Sequence, residues 1–290
     1  GTLSQFAFGG AMGCALFFFC SGYTLAYSQF DSFIRWMGKR IIRIYPTLWL
    51  VNILSTCTGK SVQWYDYLFP QNQNYWFLQA ILVFYVLYYL VMKYAKAYLK
   101  LVIACLIVPF VLTYAISENH TWIIDYAAQP NRLHWYFYFA IMLSGTICRF
   151  TPPHWLNTYN KFVFLICAIG SFIASYGLKY IILKSNMNVS THLQLLFPLG
   201  VYLFTICMFR FSQRLHYSNK CLNAVDVFFA NLTLEIYLVQ FLVIEKCMIL
   251  DNPVRFVMTV FGILLSAFVI NKIVSMVISF AKRIPMKKIC

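Results

Sequence analysis

The first thirty residues, Gly1 to Phe30, carry no charged side chain, and similarly empty runs recur at Ala80 to Met92 and Leu193 to Phe209. A run of about 20 mostly apolar residues is what a helix needs to cross the hydrocarbon core of a bilayer. Inside lipid every backbone N–H and C=O must find its partner within the protein, which leaves only helices and closed β-barrels. A barrel would alternate lipid-facing and lumen-facing residues over segments of about ten, whereas these runs are continuous. The fold class is therefore all-α, a polytopic transmembrane helix bundle. Composition agrees: 11% of residues are charged and 61% are hydrophobic, where a soluble domain carries about 25% charged residues.

The apolar runs predict nine spans, near residues 6–27, 42–58, 75–92, 101–117, 134–150, 162–183, 193–210, 228–249 and 256–280. A short basic turn is expected between the first two. No internal repeat or low-complexity segment is visible, so 1–290 reads as one integral-membrane domain. Trp36, Tyr65, Trp76, Trp122, Trp135 and Trp155 fall at span ends, as in an aromatic belt. Gly9 and Gly13, with Ala11 and Ala15, form a small-residue face suited to close helix packing. Of the ten cysteines, Cys14, Cys20, Cys105, Cys148, Cys167 and Cys207 lie inside spans, where Cys packs as a small hydrophobe. No Cys-x-x-Cys or Cys/His spacing is present, and no metal site is expected.

Charge sets the expected orientation. Alternate loops hold Arg35, Lys39, Arg40 and Arg43; Lys93, Lys96 and Lys100; Arg149 and Lys161; Arg210, Arg214 and Lys220; and the tail Lys282, Arg283, Lys287 and Lys288. The opposite loops hold only Lys60, Arg132, Lys179, Lys184, Lys246 and Arg255. The positive-inside bias makes the first set, and the C-terminus, cytoplasmic. Gly1 then starts outside, which is unusual without a preceding span, so a further helix upstream is expected. The net charge of +15 is for the most part topology.

Arg35, Lys39, Arg40 and Arg43 form a denser patch than the other loops. Arginine presents a planar fork that matches phosphate oxygens, so a cytosolic phosphorylated ligand is one partner; plain anchoring on anionic lipid is the other reading. Glu235 is an acid inside one apolar span and Lys272 a base inside another. Such residues pair or line a cavity, and both outcomes are open for Glu235. His120 and Asp125 match a His-x4-Asp spacing, but on an expected outer loop, away from a cytosolic thioester, and the match reads as coincidence. His134, His154, His192 and His216 read as interfacial, and the sequons at Asn119 and Asn188 as chance.

Several segments, taken in order, resemble the acyltransferase family 3 membrane proteins, which O-acetylate bacterial surface sugars. They are Phe17-Phe18-Phe19-Cys20-Ser21-Gly22-Tyr23, Lys39-Arg40-Ile41-Ile42-Arg43-Ile44-Tyr45-Pro46, and Tyr75-Trp76-Phe77-Leu78 leading to Phe84-Tyr85. Met142-Leu143-Ser144-Gly145 before Arg149 and Leu232-Thr233-Leu234-Glu235-Ile236-Tyr237-Leu238-Val239-Gln240 follow. The resemblance covers essentially the whole chain. It implies ten spans, the first bearing an Arg and a His that is the catalytic base; that helix is expected upstream of Gly1. Gln240 stands where many relatives carry His.

The resemblance further implies acetyl-CoA as co-substrate, with no permanently bound cofactor. The acceptor it implies is a hydroxyl of an envelope polysaccharide or its lipid-linked precursor. Arg35, Lys39, Arg40, Arg43, Ser21, Gly22 and Tyr23 are the expected acyl-donor residues, and Trp76, Glu235, Tyr237 and Gln240 the expected cavity-lining ones. The expected location is the bacterial inner membrane, among lipids and without nucleic acid. A transporter or flippase for a lipid-linked sugar, with Glu235 and Lys272 on its path, is the alternative; a chain inactive without its first helix is a third.

Overall fold

In the computed structural model the structure describes residues 9–71, 73–116, 133–154, 158–185, 195–215, 220–249, 251 and 254–283. Among these residues there are nine α-helices: α1 Gly9–Leu25, α2 Phe33–Cys57, α3 Trp76–Tyr94, α4 Leu99–Ile116, α5 Leu133–Phe150, α6 Lys161–Ser185, α7 Leu196–Gln213, α8 Lys220–Cys247 and α9 Val254–Arg283. Each answers to one expected span. Six stretches, in α3 (Trp76–Tyr94), Lys96–Thr113, α6, α7, α8 and α9, are long and apolar enough to cross a membrane. The α1 helix is apolar but shorter.

The largest departure from expectation is at α2. The Arg35 to Arg43 patch is not a turn: the helix begins at Phe33 and carries all four cations in its first three turns. Ser32 starts it. Its backbone is extended (φ −127, ψ 124), and its side-chain oxygen accepts the Arg35 N–H, satisfying one of the donors that a helix start leaves open. Hydropathy places a span's edge where charge begins, but a helix begins where its cap is, and here the two differ by about two turns.

The helices gather into two compact units. The first takes Gly1–Phe30 and Ala80–His216, the second Asp31–Gln79 and Tyr217–Cys290. In the first unit α1 packs on α5 and α7, α5 on α4, and α6 on α7. Its centre is aromatic. The Phe18 ring lies 5.0 Å from Phe84 and 5.3 Å from Tyr138, and Phe84 lies 5.2 Å from Phe139. Tyr88, fully buried, meets Thr146 Oγ1 at 2.9 Å and donates to the Gly22 carbonyl at 3.3 Å. In the second unit α2, α8 and α9 pack on one another. The outward sides of α6 and α9 expose Phe162, Ile166, Ile173, Phe256, Phe261 and Met276, the signature of helices solvated by lipid chains.

Small residues pack at a different level from the one expected. Gly13 faces open space, although Ala11 and Ala15 are buried. The close approach lies three turns on, where a Cβ on Gly22 would stand 1.7 Å from the Met142 carbonyl oxygen. Trp36 also departs from the belt reading, being only 2% exposed. Trp122, Trp155, Asn119, Asn188, His120, Asp125, His192 and His216 lie outside the described residues. His134 is buried near the start of α5, and His154 is exposed.

Candidate active site

One face of α2 organises the second unit. Trp36, Ile44, Thr47, Leu48 and Val51 are its buried positions, the three-and-four spacing that puts side chains on one side of a helix. Arg40 belongs to the same stripe and is half-buried. Its guanidinium carbon lies 4.1 Å above the Trp36 ring, and Nη1 donates to the Trp36 carbonyl at 2.8 Å. A cation over indole is held electrostatically by the ring's negative face, so Arg40 is oriented before any ligand arrives. Arg35, Lys39 and Arg43 are exposed around it.

Seven residues beyond Arg40, roughly 10 Å along the helix axis, Thr47 reaches Glu235 of α8. Thr47 Oγ1 donates to Glu235 Oε1 at 3.3 Å, and Asn271 Nδ2 of α9 donates to the same oxygen at 3.2 Å. Asn271 also donates to the Asn231 carbonyl at 3.2 Å. Glu235 is 5% exposed, and its second oxygen, Oε2, is buried without a hydrogen-bond partner among the described residues. Leaving a buried polar oxygen unsatisfied costs roughly 1–3 kcal/mol, so this atom marks a place where the fold holds an acceptor ready for a donor. Lys272 is not its partner: the ammonium sits 5.5 Å from the Phe268 ring. Of the two readings of Glu235, pairing with Lys272 does not occur.

Of the other expected cavity residues, Tyr237 and Gln240 sit elsewhere on α8 and Trp76 on α3. Tyr237 donates to the Asn74 carbonyl at 2.9 Å and packs 5.2 Å from the Phe77 ring. Gln240 is half-buried, and Trp76, at the start of α3, packs edge-on to Phe77. Tyr75 lies just ahead of α3, in the turn Gln73–Tyr75. It is buried, and its hydroxyl donates to the Leu238 carbonyl at 3.5 Å.

Ser21, Gly22 and Tyr23 belong to the first unit. Gly22 makes a close backbone approach, and its partner is α5. Tyr23 gathers the ends of three helices: Arg149 of α5 donates to its hydroxyl at 2.7 Å, Gln213 of α7 donates at 3.0 Å, and Arg210 donates to Gln213 Oε1 at 2.8 Å. Arg149 also lies over the Tyr23 and Tyr27 rings, at 4.7 and 5.2 Å.

Sequence reasoning missed Thr47 and Asn271. A polar Asn beside Lys272 in an apolar run was a usable signal for Asn271; Thr47 gave none. The Trp36–Arg40 spacing of four was visible, but Trp36 read as interfacial. A family model described as an acyltransferase domain matches residues 1–280. No curated protein and no solved structure matches the chain.

Proposed function

The chain belongs to acyltransferase family 3, and from that membership we propose that it moves an acetyl group from cytosolic acetyl-CoA to a hydroxyl of an envelope polysaccharide or its lipid-linked precursor. The observation that carries the reading is the shared face of α2, with Arg40 stacked on Trp36 and, two turns on, Thr47 bonded to Glu235. Coenzyme A is a phosphate-bearing thioester carrier. A guanidinium fork pairs with phosphate oxygens in two parallel hydrogen bonds, and Arg40 supplies such a fork already oriented. Arg35, Lys39 and Arg43 add charge around it.

With the phosphates held there, the thioester extends toward Glu235. The incoming hydroxyl donates to Glu235 Oε2, which fixes the direction of attack. The hydroxyl oxygen adds to the thioester carbonyl, its proton passes to a base, and collapse of the adduct expels the coenzyme thiolate. Trp76, Tyr237 and Gln240 flank the acceptor's approach in this reading. The protein then works in the bacterial inner membrane with its C-terminus in the cytoplasm.

Transfer of label from radioactive acetyl-CoA to envelope polysaccharide, in membranes holding the protein, tests the proposal. Arg40→Ala and Arg43→Ala raise the acetyl-CoA KM strongly and leave the acceptor KM unchanged. Unchanged donor kinetics overturn the phosphate role, and sugar translocation without acetyl transfer overturns the reaction in favour of a flippase.

A further inference from the structure

The first unit holds a groove that acyl transfer does not use. On the α4-facing side of α5, Ser144 and Cys148 are small residues one turn apart, and they leave a cavity of about 230 Å³ unfilled. Phe19, Ile103, Tyr202 and Ile206 wall it, from α1, α4 and α7. Ser144 spends its hydroxyl on its own helix, donating to the Ala140 carbonyl at 2.9 Å, so the interior is greasy. A second cavity of about 470 Å³ shares Lys100 and Ile147 with the first as common walls and adds Lys96 and Thr151. Lys96 sits 4.7 Å from the Phe150 ring. Among the described residues, no acidic side chain lines either cavity.

An open apolar slot walled by residues of four helices, with Lys96 and Lys100 along it and no acid among its described lining residues, has the polarity that complements a lipid. We propose that this groove seats one anionic phospholipid, part of one acyl chain in the inner cavity and its phosphate between Lys96 and Lys100. Charge complementarity decides the head group. Two cations without a carboxylate favour a net-negative head over a zwitterionic one, whose own ammonium they repel. The chain decides against soluble phosphate: a free anion leaves the apolar walls without a partner of their own polarity, whereas an acyl chain already in the bilayer fills them by shape and dispersion contact. The slot also separates this lipid from the bulk, because bulk lipid covers convex helix faces such as those of α6 and α9 and needs no cavity. The inference is independent of the donor site on α2 and survives its failure.

Native mass spectrometry of the purified protein, given phosphatidylglycerol and phosphatidylcholine with identical chains, tests it. The intact protein retains phosphatidylglycerol preferentially. Each lysine near a lipid phosphate contributes about a fivefold preference, so Lys96→Ala and Lys100→Ala each lower the ratio by about that factor, and Lys100→Arg restores it. Cys148→Trp fills the inner cavity and removes the retained lipid; if that variant does not fold, Lys100→Glu, at the cavity rim, reads the same site by reversing the preference. Equal retention of the two lipids overturns the proposal, as does a ratio indifferent to both lysines. Displacement by millimolar inorganic phosphate, or by a polyprenyl phosphate in preference to phosphatidylglycerol, assigns the groove to a different phosphate and overturns it as well.

Discussion

Gly22 of α1 and Gly145 of α5 each face the other helix's backbone where a side chain would stand. A Cβ on Gly22 would lie 1.7 Å from the Met142 carbonyl oxygen, and one on Gly145 would lie 2.1 Å from the Phe19 carbonyl oxygen. The contact is backbone to backbone, so no rotamer change relieves it. The Gly22 carbonyl also receives Thr146 Oγ1 at 3.0 Å and Tyr88 at 3.3 Å, which locks the crossing in register.

Gly22→Ala or Gly145→Ala therefore forces α1 and α5 apart. Overpacking of this kind costs about 1–3 kcal/mol, and the loosened Thr146 and Tyr88 bonds add to the loss. Gly13→Ala is the matched control, because nothing stands within 4 Å of its added Cβ. It gains up to about 1 kcal/mol from helix propensity. Thermal melts in detergent should rank Gly13→Ala at or above wild type and both crossing variants well below it. Equal melting of Gly22→Ala and Gly13→Ala would show that the crossing is not tight.

The helices were legible because lipid makes the code simple: charge is absent where a span runs, and each of the nine expected spans has its helix. The start of α2 was not, since Ser32 begins that helix about three turns ahead of the last cation while hydropathy responds only to the cations. Glu235 was legible for the same reason as the spans, as a charge standing inside one. Its partners were not, because Thr47 and Asn271 lie 188 and 36 residues away. Only the packing of three helices brings them to one oxygen. Tyr23 and Arg149, 126 residues apart, show the same limit: the cation counted toward topology, and nothing in its neighbours announced a tyrosine.

Arg40 depends on its platform. Trp36→Phe keeps a ring under the guanidinium but weakens the cation–π contact, which is worth about 0.5–2 kcal/mol, or about two- to thirtyfold in affinity. The acetyl-CoA KM should rise within that range while kcat holds. Arg40→Lys should behave like a loss, because an ammonium is a point charge without the fork that pairs with phosphate. A KM restored by lysine would mean that charge alone suffices, and that orientation by Trp36 has no part in donor binding.

Glu235 separates chemistry from structure through its two oxygens. Oε1 accepts from Thr47 and Asn271, and Oε2 has no partner among the described residues. Glu235→Gln keeps a carbonyl oxygen for Thr47 and Asn271 and replaces the free oxygen by an amide that donates. Melting should stay close to wild type, since both existing bonds survive. If Oε2 positions the attacking hydroxyl, kcat falls by about 10²-fold or more, the scale of a misdirected proton-transfer partner, while the acetyl-CoA KM stays where Arg40 sets it. Thr47→Val and Asn271→Leu give the opposite pattern: each removes a donor to a buried carboxyl group, each lowers stability by about 1–3 kcal/mol, and neither touches Oε2. Combined with each other they should not add, because both act on the one oxygen Oε1. A Glu235→Gln enzyme with unchanged kcat would leave this residue a brace between α2, α8 and α9, and the site of attack would have to be sought on another face of the helices.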